Sequence, residues 1–138
     1  MDRLQSVMNA AARLICRARK FDHITPLLRD LHWLRVPERI TFRLAVLAYR
    51  CQHGLGPSYS AADLQRVVDV ESRKRLRSAS SDALVVPRTF HPTIGDRSFQ
   101  VAAARAWNSL PLTVTSSSSL TVFRRRLKNE LFTRSYCS

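Results

Sequence analysis

Arginine is the residue type in this chain with the clearest chemistry, because it is abundant and recurs on helical patterns. The 138 residues contain 23 lysines and arginines against 10 aspartates and glutamates, which gives a formal net charge of +13. A guanidinium group bonds phosphate oxygens in a bidentate way and also stacks on bases. A positive excess of this size repels itself unless an anion neutralises it. Nucleic acid is therefore the leading ligand, and the alternative is a protein fragment whose charge faced an acidic neighbour.

The strongest basic and amphipathic pattern lies near the end of the chain, after the four serines at 116–119. Phe123 and Leu127 keep the helical spacing of one apolar face, whereas cations crowd the other faces. Such a helix can bind nucleic acid, an anionic membrane surface or an acidic partner helix. Nucleic acid ranks first and the membrane last, because no bulky apolar excess would draw the helix into lipid.

Cations on the helical segments, together with one polar basic segment, are the candidate phosphate contacts. For the first helix, the alternative is a solvated charged face on a helix of the core. The basic segment at 73–75 is also similar to a nuclear-import sequence. The predicted nucleic-acid-binding residues are Arg13, Arg17, Arg39, Arg43, Arg73, Lys74, Arg75, Arg124, Arg125 and Lys128.

The histidines and cysteines do not show the spacing of a metal-binding or disulfide-bonded centre. His23 and His32 lack a second histidine or cysteine at metal-ligand spacing, so we expect no metal and no cofactor. Cys16, Cys51 and Cys137 are odd in number and far apart, which indicates reduced thiols in an intracellular protein. No apolar run approaches the roughly 20 residues that a bilayer span needs, and the first residues do not form a signal peptide. We therefore expect a protein of the nucleus or cytoplasm that does not bind a membrane.

Helices must position these residues, because apolar side chains recur three and four positions apart in most of the chain. The segment 37–53 is the most apolar, and we predict that its helix is buried on most of its sides. Gly54 suits the left-handed conformation that ends a helix. Helices are predicted at residues 2–19, within 22–34, at 37–53, at 102–110 and from 120 onward. The aromatic residues assigned to the core are Trp33, Tyr49 and Trp107.

A short antiparallel β pair, at about residues 83–101, is predicted within this mainly α fold. Residues 83–87 and 97–101 are β-prone and are separated by turn residues. The pair must pack on the helices, because two strands alone are marginally stable. The fold class is thus a small helical domain with one β pair. Its predicted parts are an N-terminal helical part at 1–64, a polar basic connection at 65–82, and the β pair plus C-terminal helices at 83–132, which pack with the first part as one domain.

Three blocks of the sequence together resemble a known family. They read DHITPLLRDLHWLRVPERITFRLAVLAYRCQHGLGPSY, LVVPRTFHPTIGDRSFQVAAARAWNSLP and LTVFRRRLKNELF. In order and spacing, from about Leu4 to Phe132, the chain is similar to the C-terminal end of reverse transcriptases from LINE-type, jockey-like retrotransposons. It departs from the family pattern at Arg35, where proline is frequent, and at Ala104 and Ala106. The missing proline at position 104 is expected to weaken the start of a helix there.

The resemblance implies a piece that follows the palm and thumb of an RNA-directed DNA polymerase, with basic helices that help to hold template RNA or target DNA. Polymerisation needs closely placed aspartates that hold two metal ions. The seven aspartates of this chain include no adjacent pair, so we expect no catalysis by this polypeptide alone. The first interpretation is a remnant or fragment that binds RNA or DNA largely independently of sequence. The alternative is a structural or protein-interaction module that packed on the polymerase thumb and now binds a polymerase domain or self-associates through apolar helix faces.

Overall fold

The fold is mainly α-helical, which confirms the predicted fold class in its main feature. The computed structural model describes residues 1–59, 64, 66, 83–88, 95 and 98–137. Six helices are assigned within these residues. They are α1 (Asp2–Ile15), α2 (Ile24–Asp30), α3 (Val36–Gln52), α4 (Phe99–Asn108), α5 (Leu112–Thr115) and α6 (Leu120–Tyr136).

Helix α1 ends before the predicted boundary, because the chain turns directly after Ile15. Cys16 occupies the C-cap, and Arg17 adopts a left-handed conformation with φ +50°. The following turn is stabilised by Asp22, whose Oδ2 atom accepts a hydrogen bond of 2.7 Å from the backbone N–H of Arg19. Arg17 therefore lies beyond the end of α1, although the helix predicted at residues 2–19 included it.

Helix α3 agrees with the predicted central helix to within one residue at each end. Gly54 follows it with φ +69°, which is the left-handed conformation predicted for this glycine. The backbone N–H of Leu55 donates a hydrogen bond of 2.8 Å to the carbonyl oxygen of Arg50 and so closes the helix end. The prediction that Gly54 terminates the central helix is confirmed.

The burial of α3 is lower than predicted. Ala45 and Ala48 are completely buried, whereas Ile40 is 39% exposed and Leu47 is 43% exposed. The packed side of this helix therefore combines two alanines, which let neighbouring groups approach its backbone, with the buried ring of Tyr49. Two long apolar side chains of a helix that was predicted to be buried on most of its sides therefore reach solvent.

The predicted β pair is wrong for the residues that the structure describes. Phe99 begins α4, so the segment predicted as the second strand supplies the first turn of a helix. Its alanine-rich continuation favours a helix, and Val101 is buried on that helix. In the described part of the first predicted strand, at 83–87, the β pairing is an isolated antiparallel bridge between Leu84 and Arg66.

The side chain of Asn108 explains how the backbone of Leu84 is satisfied without a neighbouring strand. The Oδ1 atom of Asn108 accepts a hydrogen bond of 2.8 Å from the N–H of Leu84. The Nδ2 atom donates a hydrogen bond of 2.9 Å to the carbonyl oxygen of Leu84. One amide group thus supplies both of the hydrogen bonds that a hydrogen-bonded residue receives from an antiparallel strand.

The expected effect of Ala104 on a helix start is also wrong. Helix α4 begins at Phe99, so Ala104 is an interior residue of the helix and is completely buried. A proline at an interior position would remove a backbone hydrogen bond and clash with the preceding turn. Alanine at this position therefore favours the continuous helix.

The chain divides into two compact units, which are described separately. Unit 1 comprises residues 1–42 and 128–138, and unit 2 comprises residues 43–127. The division falls within α3 and within α6, so each of these helices contributes residues to both units. The predicted connection at 65–82 lies outside the described residues except for Arg66.

Three aromatic rings form the centre of unit 2. Tyr49, Trp107 and Phe123 are all almost completely buried. The ring centroid of Phe123 lies 4.5 Å from that of Tyr49 and 5.6 Å from that of Trp107. The hydroxyl group of Tyr49 donates a hydrogen bond of 3.1 Å to the carbonyl oxygen of Ser117, so its polar end is satisfied. The assignment of Tyr49 and Trp107 to the core is confirmed.

Unit 1 packs α1 against α2 and fixes its connections through a few polar side chains. Ala12 is the completely buried residue of α1. The Oε1 atom of Gln5 accepts a hydrogen bond of 2.9 Å from the N–H of Val36, a donor in the first turn of α3 that has no helical acceptor. Trp33, which the sequence assigned to the core, is half-buried, and its carbonyl oxygen accepts a hydrogen bond of 2.6 Å from the hydroxyl group of Tyr136.

Candidate nucleic-acid interface

Helix α6 presents cations to solvent because its apolar face is fixed inward. Phe123 and Leu127 are completely buried, and Leu131 is 2% exposed. Ser119 caps the helix, because its Oγ atom accepts a hydrogen bond of 3.3 Å from the backbone N–H of Val122. The apolar face predicted for this helix is thus the face that is buried. Its remaining faces are therefore fixed in orientation.

Three of the predicted phosphate-binding residues lie on the outside of α6. Arg124, Arg125 and Lys128 are all exposed. Lys128 stands four residues after Arg124, which is one helical turn. Within the part of the chain that the structure describes, no carboxylate forms an ion pair with any of the three. Their positive charges are thus available to an anion that approaches the helix from solvent.

Two other cations of α6 are used within the protein. The Nη1 atom of Arg126 donates a hydrogen bond of 2.9 Å to the carbonyl oxygen of Thr113 and so ties α6 to α5. The Nε atom of Arg134 lies 2.8 Å from Oε1 of Glu130, which stands one helical turn before it. The basic surface of α6 is therefore narrower than the run of cations in the sequence indicates.

The two predicted contacts on α3 differ in how free their guanidinium groups are. Arg43 is exposed. Arg39 is also exposed, but its Nε atom donates a hydrogen bond of 3.0 Å to the carbonyl oxygen of Leu34, and its guanidinium carbon lies 5.7 Å from the ring centroid of Trp33. Arg39 can reach a phosphate only with the donors that these contacts leave free, so Arg43 is the better candidate.

The two predicted contacts at the end of α1 are not equivalent either. Arg13 is half-buried, and its Nη2 atom lies 3.4 Å from the carbonyl oxygen of Asp22. Its Nε atom is buried and has no hydrogen-bond acceptor among the described residues. Arg17 is exposed beyond the helix end. Arg13 thus supports the turn after α1, whereas Arg17 can meet an external anion. The remaining predicted residues, Arg73, Lys74 and Arg75, lie outside the described residues.

Sequence reasoning did not anticipate that the apolar face of α1 would remain uncovered. Leu4, Val7, Leu14 and Ile15 are 64%, 67%, 81% and 58% exposed. They lie along one side of the helix at intervals of three, seven and one residues, whereas the buried position is Ala12. Helix α1 therefore packs on α2 with Ala12 buried and leaves its most apolar face open. The packed side of α1 carries Ala12 together with the half-buried Gln5 and Met8, a mixed surface that its apolar periodicity does not indicate.

Arg35 is a cation outside the predicted set, and its guanidinium group contacts Tyr136. Its guanidinium carbon lies 5.5 Å from the ring centroid of Tyr136. Burial raises the pKa of Tyr136 above its ordinary value of 10.0, and the charge of Arg35 opposes that rise. Arg35 also donates a hydrogen bond of 3.0 Å from Nη2 to Oγ1 of Thr25. It is therefore a structural residue of unit 1 and not a free phosphate contact.

None of the helices in the described residues is long and apolar enough to cross a membrane. No group of three or more histidine, cysteine, aspartate or glutamate side chains in the same residues is placed to hold a metal ion. Comparison with known proteins finds no matching family model, no matching curated protein and no matching solved structure.

Proposed function

We propose that this chain is a remnant or fragment of a retrotransposon reverse transcriptase that lacks the catalytic palm and binds nucleic acid through its basic helices. The observation that carries the proposal is α6, where Phe123 and Leu127 are buried and Arg124, Arg125 and Lys128 are turned to solvent. Because the buried apolar face fixes the rotation of the helix about its axis, the cations on the opposite faces point to solvent, where an anion can bind them.

The origin of the chain is proposed from the resemblance of its three sequence blocks to LINE-type elements. The described residues of those blocks fall mainly in α2, α3, α4 and α6.

The catalytic aspartates of a polymerase are missing from the sequence, so we propose that the chain is not an enzyme by itself. A primer-extension assay on the purified protein checks this point, and incorporation of nucleotides would contradict it. A nuclear or cytoplasmic location fits a partner that is RNA or DNA.

Binding is proposed to be largely independent of sequence, because it rests on phosphate contacts. The exposed candidates in the described residues are Arg17, Arg39, Arg43, Arg124, Arg125 and Lys128. Each phosphate that they neutralise releases counterions, so affinity falls as salt rises. The logarithm of the affinity falls with the logarithm of the salt concentration, with a slope of about 0.9 per contact on duplex DNA and about 0.7 on a single strand. A protein with this mechanism must therefore show a steep salt dependence.

The test is fluorescence anisotropy with labelled single-stranded RNA and labelled duplex DNA, titrated across salt, with heparin as competitor. Wild type is compared with R124A/R125A and with R3A/R29A, which removes the same charge from two exposed residues outside the candidate set. We expect R124A/R125A to reduce the salt slope by about 1.4 on RNA, whereas R3A/R29A leaves most of it. Equal losses in the two variants would mean that net charge, and not α6, determines binding. A salt response that is flat in wild type would remove the proposed function.

The exposed apolar face of α1 favours a second function, a protein-interaction module. Leu4, Val7, Leu14 and Ile15 each stabilise a complex by about 1.5–3 kcal/mol if a partner buries them fully. A polymerase domain or a second copy of this chain is the proposed partner. Sedimentation of wild type and of V7E/L14E across protein concentration tests self-association. We expect oligomers that the double variant abolishes, and a wild-type monomer that binds no hydrophobic dye would exclude an accessible apolar face.

A further inference from the structure

A cavity in unit 2 lies beside the C-terminal end of α3 and is not part of the basic surface described above. Its volume is about 440 Å³. Leu47 and Cys51 of α3 form one wall, and Tyr59 and Phe99 contribute two aromatic rings. Among the described residues that line the cavity, Arg50 is the cation and none carries a carboxylate. The described part of the lining is thus mainly apolar and aromatic, and it includes the positive group of Arg50.

The loop that closes the cavity is held in place by its backbone. The N–H groups of Leu55 and Gly56 donate hydrogen bonds of 2.8 Å and 3.1 Å to the carbonyl oxygen of Arg50. A Cβ atom at Gly56 would lie 3.1 Å from Sγ of Cys51, so the loop packs closely on the helix. Gly54 makes the reversal possible with its φ of +69°. This wall of the cavity is therefore formed before any ligand arrives.

The cavity is accessible from solvent, and its surroundings are cationic. Tyr59 is 75% exposed and Leu47 is 43% exposed, so a ligand can enter without unfolding the unit. Arg43 lies seven residues before Arg50 on α3, which is two helical turns and hence the same side of the helix. Both arginines are exposed. A chain of negative groups that follows α3 would pass the cavity opening.

We propose that this cavity receives one unpaired base of a bound nucleic-acid strand, which stacks on the rings of Tyr59 and Phe99 while Arg50 pairs with its phosphate. Aromatic side chains beside a basic track are the usual means of binding single strands without reading their sequence, because every base has a π face. The proposal rests on the proposed function and deepens it, since it makes a single strand and not a duplex the substrate. A base held inside a duplex cannot enter the cavity.

The test compares two single-stranded DNA oligonucleotides of equal length and charge, oligodeoxyadenylate and the same backbone with abasic sites. Anisotropy is measured at one moderate salt concentration and then across salt. We expect wild type to bind the base-containing strand about tenfold more tightly. Y59A should lower this preference toward unity while the salt slope stays, and Y59F should keep it. R50Q should reduce the affinity for both strands together with the slope.

The outcomes separate this inference from the function on which it rests. Steep salt dependence with equal affinity for the two strands would overturn the base-binding cavity and leave the nucleic-acid-binding function standing. Absence of salt-dependent binding to either strand would remove both. A fluorescent fatty acid that binds wild type but not Y59A, with no preference for bases in the oligonucleotides, would assign the cavity to an amphiphile and overturn the inference.

Discussion

Replacement of Asn108 by alanine tests the claim that one side chain takes the place of a β-strand. Asn108 makes two hydrogen bonds with the backbone of Leu84, of 2.8 Å and 2.9 Å. Each such bond contributes about 0.5–1.5 kcal/mol to stability. Leu84 is 2% exposed, so water does not readily replace the lost partner. We expect N108A to lower the free energy of unfolding by about 1–3 kcal/mol.

The assay is urea unfolding followed by far-UV circular dichroism, because the signal reports helices throughout the chain. N108D is the matched variant, since its carboxylate can accept the hydrogen bond from the N–H of Leu84 but cannot donate to the carbonyl oxygen. It should retain one of the two bonds at most, and its two oxygens should repel that carbonyl. A free energy of unfolding for N108A within about 0.5 kcal/mol of wild type would refute the reasoning.

Two further changes test contacts of α6. Y136F should cost about 0.5–1.5 kcal/mol, because it removes the hydrogen bond to the carbonyl oxygen of Trp33. The raised pKa of Tyr136 also gives wild type a stabilisation that is fully present below pH 10.0 and is lost as pH rises through the folded-state pKa. Alkaline unfolding curves should show that loss in wild type, and a Y136F curve of the same shape would contradict it. R126A should lower stability by about 0.5–1.5 kcal/mol through its lost bond to Thr113, whereas R125A should lower only nucleic-acid affinity. Thermal melts and anisotropy on both variants check this division, which fails if R125A destabilises as much as R126A.

Periodicity predicted α6 well because the features that define this helix are local. Ser119 begins it, and Phe123 and Leu127 recur at the spacing of one face. The apolar residues on this helix compete with no second apolar face, so the face that packs could be read from the sequence. The same holds for the end of α3, where Gly54 alone supplies the required conformation.

Periodicity failed for α1 because that helix has two surfaces that can pack. Leu4, Val7 and Leu14 share one apolar side of the helix, yet the side that packs is the one that contains Ala12. A small side chain allows two helices to approach closely, whereas long side chains need a complementary groove. Which surface is covered depends on the neighbours available, and a single sequence does not contain that information.

The β pair failed for a different reason, since β propensity depends strongly on context. Leu84 lies in a β-prone segment, but the hydrogen-bond partner of its backbone is the side chain of Asn108, which lies 24 residues away in a helix. The candidate interface shows the same difficulty. Arg124 and Arg126 belong to the same run of arginines in the sequence. Arg126 donates a hydrogen bond to the carbonyl oxygen of Thr113, whereas Arg124 is exposed to solvent. Long-range hydrogen-bond partners decide both cases.

The two proposed functions respond to salt with opposite sign, which allows one titration to separate them. Each copy of the chain carries a formal net charge of +13, so two copies that meet through the apolar face of α1 repel each other at low salt. Added salt screens this repulsion, with a Debye length of about 10 Å at 0.1 M, and leaves the apolar contact intact. Self-association should therefore strengthen as salt rises, whereas nucleic-acid binding weakens. Sedimentation of the free protein and anisotropy of the complex, measured over the same salt series, should diverge, and V7E/L14E should remove only the first trend. If both quantities weaken with salt, the copies are held together by charge, and the exposed face of α1 is not their contact.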